Sequence, residues 1–372
     1  MLLEPFKFRN GVLARNRTWL APMTNQQSAD DGTVSDVELR WLEMRAKGGF
    51  AVVETCAAHV STDGQGFPGA IGVYDDRLLP GLKRLASAID RHSALGIVQL
   101  FHGGMRSPSS LTGQQPWSAT ACAVPGGETA RGASAADITR AIDQFRDAAV
   151  RAQTAGFTGI ELHAAHGYLL CQFLSATINT RTDLWGGLLE GRARFLRQTV
   201  RTIRAAVPRN FLVGARLSPE DFGNAQGLDL DESLEVARWL CEDGVDFIHL
   251  SLWNARSNTR KRPQEHPIPL FRRVVRSDVP VIVAGGVWSR DDAEALLDKG
   301  ATAVAIGRAA ILNPDWPARA AESGWEPRRP PMTAAELGQR GVSKRFAGYL
   351  RSWKGFVADV PADRSSRPAI GS

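Results

Sequence analysis

Apolar and polar positions along the 372-residue chain alternate between two signals. Short runs rich in β-branched residues end in small or polar residues, and each is followed by a stretch with helical apolar spacing. Eight such runs occur: RTWLAP (17–22), FAVVETCAA (50–58), IVQLFH (97–102), GIELHAA (159–165), FLVGARLS (211–218), DFIHLS (246–251), PVIVAGG (280–286) and AVAIGR (303–308). Stretches between them, such as ARFLRQTVRTIRAAV and LDESLEVARWLCEDG, read as amphipathic helices, several with a Ser or Asp start and a Gly stop. Hydrophobicity within the runs is continuous, so both strand faces are expected to be buried, as in a parallel sheet.

Eight β/α alternations predict an α/β fold of the TIM (β/α)8 barrel type, a single domain with long loop excursions after strands 3 and 6. The first excursion spans 106–137 and is rich in Ser, Gly, Pro and Thr; the second is WNARSNTRKRPQEHP (253–267). A doubly wound open sheet is the alternative, and the absence of G-x-G-x-x-G after the first strand counts against its dinucleotide-binding version. Residues 1–356 are expected to form the barrel. Its last part, VSKRFAGYLRSWKGF (342–356), is either a capping helix or a subunit contact, and 357–372 reads as a flexible tail.

Composition narrows the class. With 43% hydrophobic and 23% charged residues the chain is globular rather than disordered. The net charge of +6 is spread along the sequence, so no nucleic-acid partner is expected. Cys56, Cys122, Cys171 and Cys241 have no metal-ligand spacing and read as reduced thiols. No apolar run approaches the roughly 18 residues of a membrane helix, and no leader-like segment opens the chain; no membrane partner and a cytoplasmic localisation are the expectations.

Candidate chemistry concentrates in ELHAAHGYLLCQFLS (161–175), which sets His163, His166 and Tyr168 at the C-terminal end of strand 4, the end where barrel active sites lie. A metal site needs a third ligand, and Glu161 is expected to point to the opposite side of the strand from His163; no metal is expected. A rim network of satisfied polar groups is a second reading. In the third, both histidines donate to one substrate oxygen as negative charge develops there, and the Tyr168 phenol supplies a proton. Gly285-Gly286 after strand 7 and Gly307-Arg308 after strand 8 expose backbone N–H groups and a guanidinium suited to a phosphate.

The segment ELHAAHGYLLCQFLSATINTRTDLWGGLLEGRARF resembles the signature of the Old Yellow Enzyme family, FMN-dependent NAD(P)H oxidoreductases on a (β/α)8 barrel. LAPMTN, VETCA, QLFHGGMR and ARLSPEDF match in order, and the similarity spans about residues 5 to 320. The resemblance implies a short single-domain ene-reductase, with NADPH or NADH as hydride donor to FMN and an α,β-unsaturated carbonyl or nitro compound as acceptor, in ping-pong order. It places Pro22, Met23 and Thr24 against the isoalloxazine, Ala57 and Gln99 at its pyrimidine edge, Arg216 near N1 and O2, and Gly285, Gly286, Gly307 and Arg308 at the phosphate. His163 and His166 become the substrate-binding pair and Tyr168 the proton donor. The chain departs from the pattern at Thr24, where some relatives carry cysteine, and at Ala176, Trp185, Leu188 and Gly191; loss of the usual serine at 188 removes a helix cap.

A flavin-dependent isomerase or desaturase role stays open at this stage, as does a homo-oligomeric state. A non-redox phosphate-binding lyase would want a Schiff-base lysine, and no lysine ends any of the eight strands. Arg256, Arg260, Lys261 and Arg262 cluster in the second excursion, where they would suit the 2′-phosphate of NADPH, a solvated loop or a subunit contact.

Overall fold

A computed structural model describes residues 1–124 and 128–358. Each of the eight apolar runs carries a strand: β1 (Thr18–Leu20), β2 (Val52–Glu54), β3 (Leu95–Phe101), β4 (Gly159–Ala164), β5 (Leu212–Leu217), β6 (Phe247–Ser251), β7 (Val281–Ala284) and β8 (Ala303–Ile306). All neighbours are parallel, and pairing of Val304 with Thr18 closes β8 onto β1. The result is a closed (β/α)8 barrel.

The crossovers are α1 (Asp36–Lys47), α2 (Leu79–Asp90), α3 (Ala135–Thr154), α4 (Leu189–Ala206), α5 (Leu230–Asp243), α6 (Pro267–Val274) and α7 (Arg290–Asp298). Their apolar faces cover the outer faces of the strands in one large core. Ser134 and Ser289 start α3 and α7 with reciprocal capping boxes to Asp137 and Asp292. Helix α4 starts differently: Leu188 occupies its N-cap with no side-chain bond to offer.

Strand side chains alternate between this outer core and the barrel interior. At the N-terminal end the interior is apolar: Trp19, Ile97, Leu212, Phe247, Ile282 and Ala303 pack together, closed from below by Phe6 and Phe8 of a short hairpin (Phe6–Lys7 with Leu13–Ala14). Gly214 is required here, because an added Cβ would lie 2.1 Å from the Phe247 ring. Two residues further along the same strands the interior turns polar, with Glu54, Gln99, Glu161 and His249 all buried. Continuous hydrophobicity therefore held for the outer faces and the bottom of the barrel only.

The excursion after β3 folds into a short helix (Ser109–Thr112) and a small sheet containing Trp117–Ser118, Cys122–Ala123 and Thr129–Gly132. At the C-terminus, α8 (Lys344–Leu350) buries Phe346, Ala347 and Leu350 against the barrel. Two residues of the stretch expected to be flexible are held in place. Val357 bridges to Met332, and the Ala358 amide donates to the Met332 carbonyl at 2.7 Å, so 357 and 358 are tied down. The remainder of the expected flexible tail, 359–372, lies outside the described residues.

Candidate active site

A cleft of about 630 Å³ opens at the C-terminal end of the barrel. Pro22, Met23, His166, Tyr168, Arg216, Gly285, Gly286, Gly307 and Arg308 line it, so the loops after β1, β4, β7 and β8 converge as the sequence implied. A second depression, of about 700 Å³, lies at the opposite end beside the N-terminal hairpin. Arg9 and Arg204 pair there with Asp246 at 2.9 and 3.0 Å, and it gathers none of the predicted site residues.

The turn after β4 builds one wall of the cleft. His166 and Gly167 take left-handed φ values of 58° and 71° in succession. At Gly167 a side chain would strike the Asn224 carbonyl, 2.1 Å from an added Cβ. The His166 conformation is uncommon for a residue with a Cβ, and two long-range bonds hold it. Its amide donates to Ser218 Oγ (3.3 Å), and its carbonyl accepts from Arg106 Nη1 (2.7 Å).

Hydrogen bonding assigns the imidazole tautomers. The Ala165 amide donates to His163 Nδ1 (3.4 Å), which puts the His163 proton on Nε2, facing His166 Nδ1 at 3.2 Å. The His166 proton is then on Nε2 and donates to Ser251 Oγ at 2.6 Å. Arg216 Nη2 donates to the same oxygen at 3.1 Å. Both imidazoles are held well below the ordinary histidine value, first by burial and then by neighbouring positive groups, Arg216 and Arg106 among them. They are neutral N–H donors.

Both histidines are expected from the sequence to aim at one substrate oxygen. Here they bond to each other, His163 lies beneath His166 rather than on the cleft surface, and Ser251, which the sequence did not single out, takes the outer proton. Tyr168 stands beside them, its ring 4.8 Å from that of His163 and 5.1 Å from that of Phe101. The Arg106 guanidinium covers the other face of the phenol at 4.5 Å. Tyr349 and Trp353, from α8 and the turn after it, close the cleft from the C-terminal side.

Glu161 corrects a second expectation. Positions i and i+2 of a strand share a face, so Glu161 projects into the barrel with His163 and not away from it. It sits one layer down, accepting from Gln99 Nε2 (2.8 Å) and His249 Nδ1 (2.7 Å). Glu54 accepts from Trp19 Nε1 at 2.8 Å, and its other oxygen has no partner. Burial, then the nearby Glu161 charge, hold the Glu54 carboxyl well above the ordinary range, so it keeps its proton. Burial also opposes ionisation of Glu161, and His249 and Arg216 overcome it. Glu54, Glu161 and His249 lie close enough to resemble a metal-ligating group, but the buried Arg216 already supplies the positive charge there.

Of the remaining predicted residues, Gln99 spends its amide on Glu161 just below the cleft floor. Ala57 packs with Phe67, Phe101 and Tyr168. Thr24 is half-buried. The basic loop is largely neutralised: Lys261 pairs with Asp229 (2.6 Å) and Asp231 (2.8 Å), Arg262 with Asp231, and Arg256 with Asp292. A preformed four-cation phosphate site is therefore not what this loop presents.

The residues suit a flavin phosphate and ring. Arg216 is buried with Nε lacking a partner, a donor available to a ligand atom. At Gly307 an added Cβ would point between Met23 Sδ (3.6 Å) and Ala21 Cβ (3.9 Å), and at Gly286 the nearest atom would be 4.0 Å away, so both backbones are bare toward the cleft.

Fold and cleft together define a TIM-barrel flavoprotein oxidoreductase. The model of the NADH:flavin oxidoreductase / NADH oxidase family matches residues 1–325, and the chain belongs to that family. It is 38% identical over 328 residues to a probable NADH-dependent flavin oxidoreductase of Bacillus subtilis, covering 86% of this chain and 88% of that one. It is 37% identical to an NADH:fumarate oxidoreductase of Klebsiella pneumoniae, but spans only 36% of that protein. Among solved structures, the Old Yellow Enzyme homologue of Zymomonas mobilis superposes with a TM-score of 0.81 at 27% identity, covering 90% of this chain and 96% of that one. Morphinone reductase in complex with tetrahydroNAD superposes at 0.78 and 26% identity, covering 90% and 93%. The protein is an FMN-dependent oxidoreductase that uses a nicotinamide donor. Among the described residues no helix is long and apolar enough to cross a membrane.

Proposed function

We propose that the protein reduces activated C=C bonds of α,β-unsaturated carbonyl or nitro compounds. The observation that carries this reading is the placement of Tyr168 on the cleft wall, its ring 4.8 Å from that of His163 and next to the neutral His163–His166 pair.

When bound, FMN supplies the hydride, taken from NADH or NADPH; the protein supplies orientation, charge and a proton. The substrate oxygen binds at His166, displacing one of the hydrogen bonds that now run from His163 to His166 and on to Ser251. Neutral imidazoles suit this role, since they donate a hydrogen bond to developing negative charge without giving up a proton. Tyr168 Oη delivers the proton to the α-carbon. Arg216, above the buried Glu161 charge and bonded to Ser251, would keep a permanent positive charge at the flavin edge. Gly285, Gly286, Gly307 and Arg308 would hold the phosphate, and Pro22, Met23, Thr24, Ala57 and Gln99 would hold the ring system.

The test is an anaerobic titration of the purified holoprotein. Flavin absorbance that bleaches with NADH or NADPH and returns with cyclohexenone supports ene-reduction. Bleaching without return on the enone, combined with redox-neutral conversion of an enone in the absence of NAD(P)H, would favour an isomerase instead.

A further inference from the structure

Three guanidinium groups line the cleft, those of Arg106, Arg216 and Arg308, and among the described residues no carboxylate lines it with them. Two have an assignment. Arg216 is partly balanced by the Glu161 carboxylate beneath it and serves the flavin edge, and Arg308 stands at the phosphate turn. Arg106 is left over. One of its nitrogens holds the His166 carbonyl, and its planar group lies over the Tyr168 ring at 4.5 Å, which leaves the rest of its donor fork to the cleft.

A cation at this position is matched to an anion that sits beside the proton donor. The pyrophosphate of a nicotinamide cofactor is separated from its reacting ring by a ribose, so it does not reach such a place while the ring lies over the flavin. A carboxylate conjugated with the reacting alkene does, because its carbon is bonded directly to the α-carbon that Tyr168 protonates. A guanidinium fork also accepts a carboxylate through two parallel hydrogen bonds. Hydride addition to such an alkene builds further negative charge onto the carboxylate, which a neighbouring guanidinium stabilises.

We propose that Arg106 is a substrate-binding residue for an anionic acceptor, an α,β-unsaturated carboxylate. The proposal rests on the ene-reduction reading and adds the class of acceptor.

The test compares fumarate with dimethyl fumarate in the FMN-loaded enzyme, using the wild type, Arg106→Gln and Arg106→Lys. Comparing the two substrates' kcat/KM ratio between variants cancels their difference in intrinsic reactivity. The ratio of fumarate to diester is expected to fall at least about tenfold in Arg106→Gln, the scale of one lost hydrogen bond to a charged group, and to lie between the two in Arg106→Lys. Binding without turnover gives a second readout: benzoate is expected to perturb the wild-type flavin spectrum at lower concentration than benzamide. An unchanged ratio in Arg106→Gln, or benzamide binding as tightly as benzoate to the wild type, overturns the proposal. If cyclohexenone is reduced and no anion is preferred, the ene-reduction reading stands and this inference falls. If no alkene is reduced, that reading fails, and an equal affinity for benzoate and benzamide removes Arg106 as an anion site as well.

Discussion

His166 Nε2 lies 2.6 Å from Ser251 Oγ, and the same oxygen accepts from Arg216 Nη2 at 3.1 Å. A strand-6 serine thus couples the His166 imidazole to the Arg216 guanidinium. Because that oxygen accepts twice, its own proton is left to point elsewhere.

Ser251→Ala removes this bridge. It leaves Arg216 Nη2 without its partner and frees the His166 ring, so binding of phenols that mimic an enolate is expected to weaken roughly tenfold. Titrating the flavin charge-transfer band with a substituted phenol measures this. Unchanged or tighter phenol binding would show that Ser251 restrains the histidine rather than orienting it.

Tyr168→Phe keeps the ring packing against Phe101 and His163 while deleting the proton. Stopped-flow reduction by NADH is expected to proceed at the wild-type rate, and reoxidation by cyclohexenone to slow by on the order of 10²–10⁴. Equal slowing of both half-reactions would assign Tyr168 a packing role.

Lys261 is engaged by Asp229 and Asp231, so it is not waiting for a cofactor phosphate. Lys261→Ala is expected to leave the ratio of KM values for NADPH and NADH where it is in the wild type. A selective rise for NADPH would mean that the ion pairs open when the cofactor binds.

Glu38 is buried in α1 against Asn25, next to the Pro22–Thr24 loop, and burial raises its pKa from 4.5 to about 7. Between those two values the folded state binds a proton that the unfolded chain has lost, so this group makes stability fall as pH rises. Glu38→Gln retains the acceptor for Asn25 and removes the titration. Its stability by urea melts is expected to match the wild type near pH 4.5 and to exceed it above pH 7, by an amount on the order of 3 kcal/mol. A difference that does not change with pH would contradict the assignment.

Leu188 is exposed and leaves the N-terminus of α4 uncapped. Leu188→Ser is expected to add about 1 kcal/mol of stability without altering flavin affinity, read by thermal melts and FMN titration.

The legible parts share one cause. Eight apolar runs, each followed by a helical period, identified every barrel strand, because strand burial and helix amphipathicity are written into neighbouring positions. Strand ends mark the active end of a barrel, so His163, His166, Tyr168, the two glycine turns and Arg308 were readable as a group. The missing cap at Leu188 was equally local.

Other features need the closed barrel. Ser251 gains its role only because β6 lies across from the β4 turn, 85 residues away in sequence. Arg106, Tyr349 and Trp353 reach the cleft from a loop and a C-terminal helix whose placement no periodicity encodes. The basic loop looked unpaired until folding brought Asp229, Asp231 and Asp292 to it. The sequence by itself determined the barrel, its active end and the residue types offered there, since these follow from local patterning. Which of those groups bond to one another, and which cations pair with carboxylates, was decided only by tertiary structure, because hydrogen bonds and ion pairs depend on distances that closure of the barrel sets.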